Sequence, residues 1–247
     1  IETMKTLPVS FNEAIEQAVK KYWNRNALSD YGEITFQYKD AARIIAKLHI
    51  LFEETGIKKG DKIALCGSNS SRWGMAFIAT ITYGAVAVPI LPDFHPEQIH
   101  QITNHSEARL FFAADKIWKK INAEEMPNLI GILGTEDSQV LYAREAELQE
   151  TRNSLNKLYG EKYPDSFRPE HVSYHRDERE ELCMINYTSG TTSNSKGVMI
   201  PYRAIHSNVQ FGFEKLGHEL KAGENMLSML PMAHMYGLAF EFLYEFV

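Results

Sequence analysis

Leu182-Cys183-Met184-Ile185-Asn186-Tyr187-Thr188-Ser189-Gly190-Thr191-Thr192-Ser193-Asn194-Ser195-Lys196-Gly197-Val198-Met199-Ile200 reads as an apolar strand that empties into small hydroxylated residues and then enters a second β-like run. Backbone N–H groups exposed by Gly190, the hydroxyls of Thr188, Ser189, Thr191 and Thr192, and the mobile charge of Lys196 are the ingredients for holding a polyphosphate. No large side chain in the stretch blocks an anion. The same composition also describes an idle flexible loop. An idle loop, however, needs neither a strand on both sides nor a lysine and glycine set directly before the second strand.

Counting from Gly190, the lysine falls where the P-loop of nucleotide hydrolases, Gly-x-x-x-x-Gly-Lys-[Ser/Thr], has one. Ser195 then replaces the second glycine, Gly197 replaces the magnesium-binding hydroxyl, and a β-like run follows where a helix should begin. That reading is rejected.

Outward from this stretch the chain alternates. Strand-like runs at 62–66, 86–91, 109–113, 129–133, 182–187 and 226–230 are mostly separated by helical patterns at 71–83, 95–105 and 202–216. Earlier helices are expected at 11–23, where Ser10 and Glu13 have capping-box spacing, and at 38–55, with Gly56 as the stop. Alternation of this kind predicts an α/β fold: largely parallel, doubly wound sheet with flanking helices. Between 137 and 181 the pattern weakens into a surface helix and a long polar connection ending in the charge cluster from His175 to Glu181, read as a solvated approach to the next strand or as a docking patch. The expected division is an N-terminal α/β region over 1–180 and the start of a nucleotide-binding region over 181–247.

At 247 residues, 44% hydrophobic and 23% charged, the chain has the balance of a globular protein. Its formal charge of −6 comes from interspersed acids and bases, so no basic field invites nucleic acid. No apolar run approaches the ~18 residues of a membrane span, and no secretion signal is read at the N-terminus, so a cytoplasmic protein with at most peripheral membrane contact is expected. Cys66 and Cys183 sit in separate apolar runs and read as core thiols, and the nine histidines show no metal-binding spacing. The start at Ile1 and the stop at Val247, inside the apolar run from Leu238, lead to the expectation of a piece of a longer chain.

The stretch from Tyr187 to Val198 resembles the signature of the acyl-adenylate-forming superfamily, commonly Tyr-Thr-Ser-Gly-Thr-Thr-Gly-x-Pro-Lys-Gly-Val. That superfamily includes acyl-CoA synthetases, amino-acid adenylation domains and beetle luciferases. The chain departs from it with Ser193 for a glycine and Ser195 for a proline. Leu230-Pro231-Met232-Ala233-His234-Met235-Tyr236-Gly237 resembles the family's second segment, Leu-Pro-x-x-His-x-x-Gly, and Gly84-Ala85-Val86-Ala87-Val88-Pro89 resembles an early Gly-Ala-x-x-x-Pro segment.

The resemblance implies ATP-dependent attack of a carboxylate on the α-phosphorus, release of pyrophosphate, and transfer of the acyl group to a thiol, usually that of coenzyme A. It implies nucleotide contacts at Thr188, Ser189, Gly190, Thr191, Thr192, Ser193 and Lys196. Catalytic roles fall to Lys196, His234 and Thr188, with Thr188 the Mg2+ contact and His234 near the carboxylate. The general run of the sequence resembles bacterial and eukaryotic long-chain acyl-CoA synthetases more than amino-acid adenylation domains, and this resemblance implies a fatty acid. Tyr236, Phe240, Phe242, Tyr244 and Phe246 are candidates for an acyl channel, or else a packed apolar helix. The family's adenine-packing segment, ribose-binding aspartate and late lysine are not found here, so this stretch alone is expected to lack ligase activity without its C-terminal half. An aryl or amino acid substrate remains an alternative, as does a nucleotide- or acyl-binding module without catalysis, which Ser193 and Ser195 keep open.

Overall fold

The computed structural model describes residues 6–188, 195–216 and 223–247. The chain opens with helix α1 (Phe11–Lys21) and a two-stranded antiparallel ribbon, β1 (Asn26–Ser29) and β2 (Thr35–Gln37). Helix α2 (Tyr38–Glu54) ends just before Gly56, as the stop signal predicts. There follow β3 (Lys62–Cys66), α3 (Ser71–Tyr83), β4 (Val86–Ile90), α4 (Pro96–His105), β5 (Ala108–Ala113), the short α5 (Asp115–Trp118), β6 (Gly131–Gly134) and β7 (Val140–Ala143). Then come α6 (Ala146–Lys162), β8 (Leu182–Thr188), β9 (Lys196–Pro201), α7 (Tyr202–Leu216) and a π-helical stretch, Gly237–Leu243, continued by α8 (Tyr244–Phe246).

Among the described residues the main sheet has the order β7-β6-β5-β3-β4-β8-β9. The five inner strands are parallel, and β7 and β9 close the two edges antiparallel. Strand β3 has β4 on one side and β5 on the other, so the crossovers before and after β4 leave in opposite directions, as a doubly wound sheet requires. Side chains confirm the two covered faces. Ile63, Leu65, Leu110, Phe112 and Leu133 point into one core shared with α1, α2, α3 and α7. Ala64, Cys66, Phe111, Ala113 and Ile132 alternate with them into a second core beneath α4. Both cysteines are buried and free, and burial pushes the Cys66 thiol up to about 12. Among the described residues no helix is long and apolar enough to cross a membrane.

One expectation fails and another holds only in part. The run 226–230 forms no strand: Met226, Leu227, Met229 and Leu230 are exposed, and the amides of Met229 and Leu230 bond to a side-chain carboxylate instead of a neighbouring strand. The charge cluster from His175 to Glu181 is a solvated approach to β8 only in part: Arg176, Glu178, Arg179 and Glu180 are exposed, but the cluster also locks down the N-terminal helix. Asp177, 7% exposed, accepts the Ser10 hydroxyl at 2.6 Å and the amides of Phe11 and Asn12 at 3.0 and 2.8 Å, closing the N-terminus of α1. Arg176 pairs with Glu16 at 2.8 Å. Burial raises Glu16, but hydrogen bonds from Arg176, Lys20 and the Tyr174 amide outweigh it and hold the carboxyl at about 2.

Candidate nucleotide and acid site

Because β8 runs parallel to β4, the connection after Thr188 emerges at the carboxyl edge of the parallel strands, where ligands of open α/β sheets bind. Strand β9 returns antiparallel with Thr188 opposite Lys196, Tyr187 opposite Gly197 and Asn186 opposite Val198. This register sets Thr188 and Lys196 side by side at the mouth of the hairpin, both exposed. Of the other candidates, Ser189, Gly190, Thr191, Thr192 and Ser193 lie outside the described residues.

The base of the hairpin is built by close packing. A Cβ on Gly197 would stand 2.9 Å from Tyr187 Cζ and 2.9 Å from Ile185 Cγ2, so only glycine lets β9 lie this close over the Tyr187 ring. That ring is fixed in turn by α4: the Tyr187 hydroxyl and His105 Nδ1 share a 2.8 Å hydrogen bond, and the two rings meet edge to face at 5.8 Å. Burial raises the Tyr187 phenol. Beside it lies a hollow of about 250 Å³ lined by Gln101, Ile102, His105, Tyr187 and Ser195.

The segment carrying His234 is tied to the same hairpin, since Asn186 Nδ2 donates to the Ala233 carbonyl at 3.2 Å. His234 is exposed, and its own amide donates to Pro231 O at 2.9 Å. The Tyr236 amide donates to His234 Nδ1 at 3.4 Å, which leaves the ring proton of the neutral imidazole on Nε2. Gly237 then follows so tightly that a Cβ there would stand 2.5 Å from Pro231 O. The structure thus gathers Thr188, Lys196 and the His234 segment around one hairpin.

The aromatic candidates divide. Phe242, Tyr244 and Phe246 are buried, packed against Gly74, Gly212 and Tyr38 respectively, whereas Tyr236 is exposed and contacts the Phe240 ring at 5.0 Å. The first three are core. Two residues missed from sequence also shape the site. Asn69, in the turn after β3, and Glu241, in the π-helical stretch, bond to the segment before His234. The sequence signal available for Glu241 is a carboxylate inside an apolar aromatic run, and Glu245 four residues on shares it. Among the described residues no three His, Cys, Asp or Glu side chains gather into a metal-holding group.

The sequence profile of a family described as AMP-binding enzyme matches residues 15–246, almost the whole chain. The chain belongs to that family. This family member is 30% identical over 238 residues, 91% of its length, to the Arabidopsis thaliana protein named probable acyl-activating enzyme 16, chloroplastic, and it covers 32% of that protein. It is 25% identical over 247 residues to a long-chain-fatty-acid–CoA ligase of Salmonella typhimurium, covering 93% of this chain and 43% of that one. Among the relatives it matches first, the chain spans about a third of their length. Its fold superposes on the anthranilate CoA ligase AuaEII, crystallised with anthranoyl-AMP, with a TM-score of 0.76 at 19% identity, over 97% of this chain and 44% of that one. It also superposes on a fatty acyl-adenylate ligase from L. pneumophila, crystallised with acyl adenylate and pyrophosphate, with a TM-score of 0.73 at 18% identity, over 99% and 39%. The neighbours are adenylate-forming enzymes, and the chain matches their N-terminal portion.

Proposed function

We propose that the whole protein activates a carboxylic acid, specifically a long-chain fatty acid, by forming an acyl-adenylate from ATP and then an acyl-CoA thioester. The observation that carries the reading is the hairpin geometry: Thr188 opposite Lys196 at the carboxyl edge of the sheet, with the His234 segment bonded to the same hairpin through Asn186. Relatives named as long-chain-fatty-acid–CoA ligases support the substrate class.

In the first step a carboxylate oxygen bonds to the α-phosphorus as the bond to the bridging oxygen breaks and pyrophosphate leaves. In the second the acceptor sulfur, having lost its proton, bonds to the acyl carbon and AMP leaves. The chemistry brings anions together, so neutralisation and hydrogen bonding at fixed positions are what the chain must supply. Lys196 offsets phosphate charge, and the loop hydroxyls and amides from Ser189 to Ser193 donate to phosphate oxygens. His234, with Nε2–H as donor, orients the acid. Magnesium usually takes few protein ligands and several nucleotide oxygens, which suits a site where Thr188 would offer it one hydroxyl; bound there, the ion would supply further neutralisation.

Incubating the full-length protein with ATP, Mg2+ and hexadecanoate should release pyrophosphate only when the acid is present. Residues 1–247 alone should show no turnover. Acid-independent hydrolysis, or robust turnover by the isolated stretch, would refute the respective part of the reading.

A further inference from the structure

We infer that Asn69 and Glu241 are positioning residues that grip the chain ahead of His234 from two sides and set where that imidazole meets the acid; the inference rests on the function proposed above. Within the stretch 228–232 the part from Met229 to Pro231 lies open, with no strand beside it among the described residues and with Leu227 (72%) and Met229 (77%) turned to solvent, while Met232 at its end is buried in the core. Apolar side chains turned to solvent cannot hold a backbone in one shape by burial. Polar contacts do so instead. Glu241 Oε2 accepts the amides of Met229 and Leu230, each at 2.8 Å, and the Ser228 hydroxyl at 3.3 Å. From the other side Asn69 Nδ2 donates to Leu230 O at 2.7 Å and to Ser228 Oγ at 3.1 Å, while its Oδ1 accepts the Met232 amide at 2.7 Å.

Both jaws stand on rigid parts of the fold. Asn69 sits between β3 and α3; the next residue, Ser70, caps α3 through the Trp73 amide at 3.1 Å, and Asp30 holds the Ser71 amide at 2.8 Å. Glu241 projects from the π-helical stretch whose Leu238, Ala239, Phe242 and Leu243 are buried. π-helical turns recur at functional sites. Here the stretch carries a carboxylate that receives two converging amides, the arrangement of a charge-assisted bond. Two residues beyond the last gripped amide the chain turns through His234, closed by the 2.9 Å bond to Pro231 O. Releasing either jaw therefore loosens the approach to His234, which the Asn186–Ala233 bond alone then ties to the hairpin, whereas Thr188 and Lys196 hang on β8 and β9 and stay in place.

The test uses full-length protein carrying E241A, N69A or E241Q, with ATP and hexadecanoate as substrates and hydrogen exchange at the Met229, Leu230 and Met232 amides as an independent readout. E241A should speed exchange at Met229 and Leu230, N69A should speed it at Met232, and each should lower kcat/KM for the acid by about 10- to 100-fold with the KM for ATP unchanged within about 2-fold. E241Q keeps an acceptor oxygen and should retain both protection and most of the activity. Unchanged exchange in E241A would overturn the clamp. Freed amides with unaltered acid kinetics, or a KM for ATP that rises as much as that for the acid, would overturn the positioning role, the latter reducing it to general destabilisation. A wild-type protein that exchanges slowly at these amides yet forms no acyl-adenylate would sink the function reading, and the acid role with it, while leaving the clamp itself standing.

Discussion

The strands from β3 to β6 and the segment from Gly223 to Gly237 hold their shapes by opposite means. In the first, alternate side chains fill two cores, backbone groups pair strand to strand, and Phe112 is 1% exposed against Phe52 at 6.3 Å. In the second, Leu227 and Met229 face solvent, Met232 and Ala233 reach the core, and the open part depends on a few polar partners, Glu241, Asn69 and Asn186. The lesson is that burial and strand pairing fix the sheet, whereas a few polar bonds fix the segment at its carboxyl edge, where the candidate site lies. Substitutions should separate accordingly.

Phe112→Ala should cause the largest loss, about 4 kcal/mol by denaturant unfolding, since it deletes a ring from a close-packed interior. Asp177→Ala should come next, at about 3 kcal/mol, because it strands the Ser10 hydroxyl and two helix amides inside the fold. Acid should act on the same interior through His49. Its Nε2 lies 2.9 Å from Ala79 O, and burial pushes the imidazole down to about 4, so the fold keeps it neutral. The unfolded chain binds that proton from its ordinary value of 6.5 downward, so stability is full above about 6.5 and drains as pH falls toward 4, by about 3 kcal/mol. Glu16, ordinarily 4.5 and held at about 2, extends the loss below pH 4.5. Unfolding curves across this range should flatten between pH 6.5 and 4 in His49→Gln. At the small end, Met229→Ser should change stability by less than about 0.5 kcal/mol, as an exposed site away from the core. A large loss there would erase the distinction between the two regions.

The same distinction explains what was legible in the sequence. Strands buried on both faces advertise themselves as short apolar runs, and five of the six expected strands form at or within a few residues of their expected places. The run 226–230 has the same composition, and only the tertiary structure tells a buried strand from an exposed segment held by distant side chains. Strand β7 and the ribbon strand β1 were missed because they are short, partly exposed and polar in context. Thr188, Lys196 and His234 were readable as ordered motifs, whereas Asn69 gains its role only from bonds that span about 160 residues of chain. His105 likewise matters only because the fold sets it against Tyr187.

The central claim, that the hairpin from Thr188 to Lys196 grips a nucleotide's phosphates, is tested most directly by acid-dependent exchange of labelled pyrophosphate into ATP in full-length protein. Replacing Lys196, Thr191 and Thr192 together by alanine should cut that exchange by about 100-fold or more with the fold intact. Exchange at the unaltered rate would contradict it.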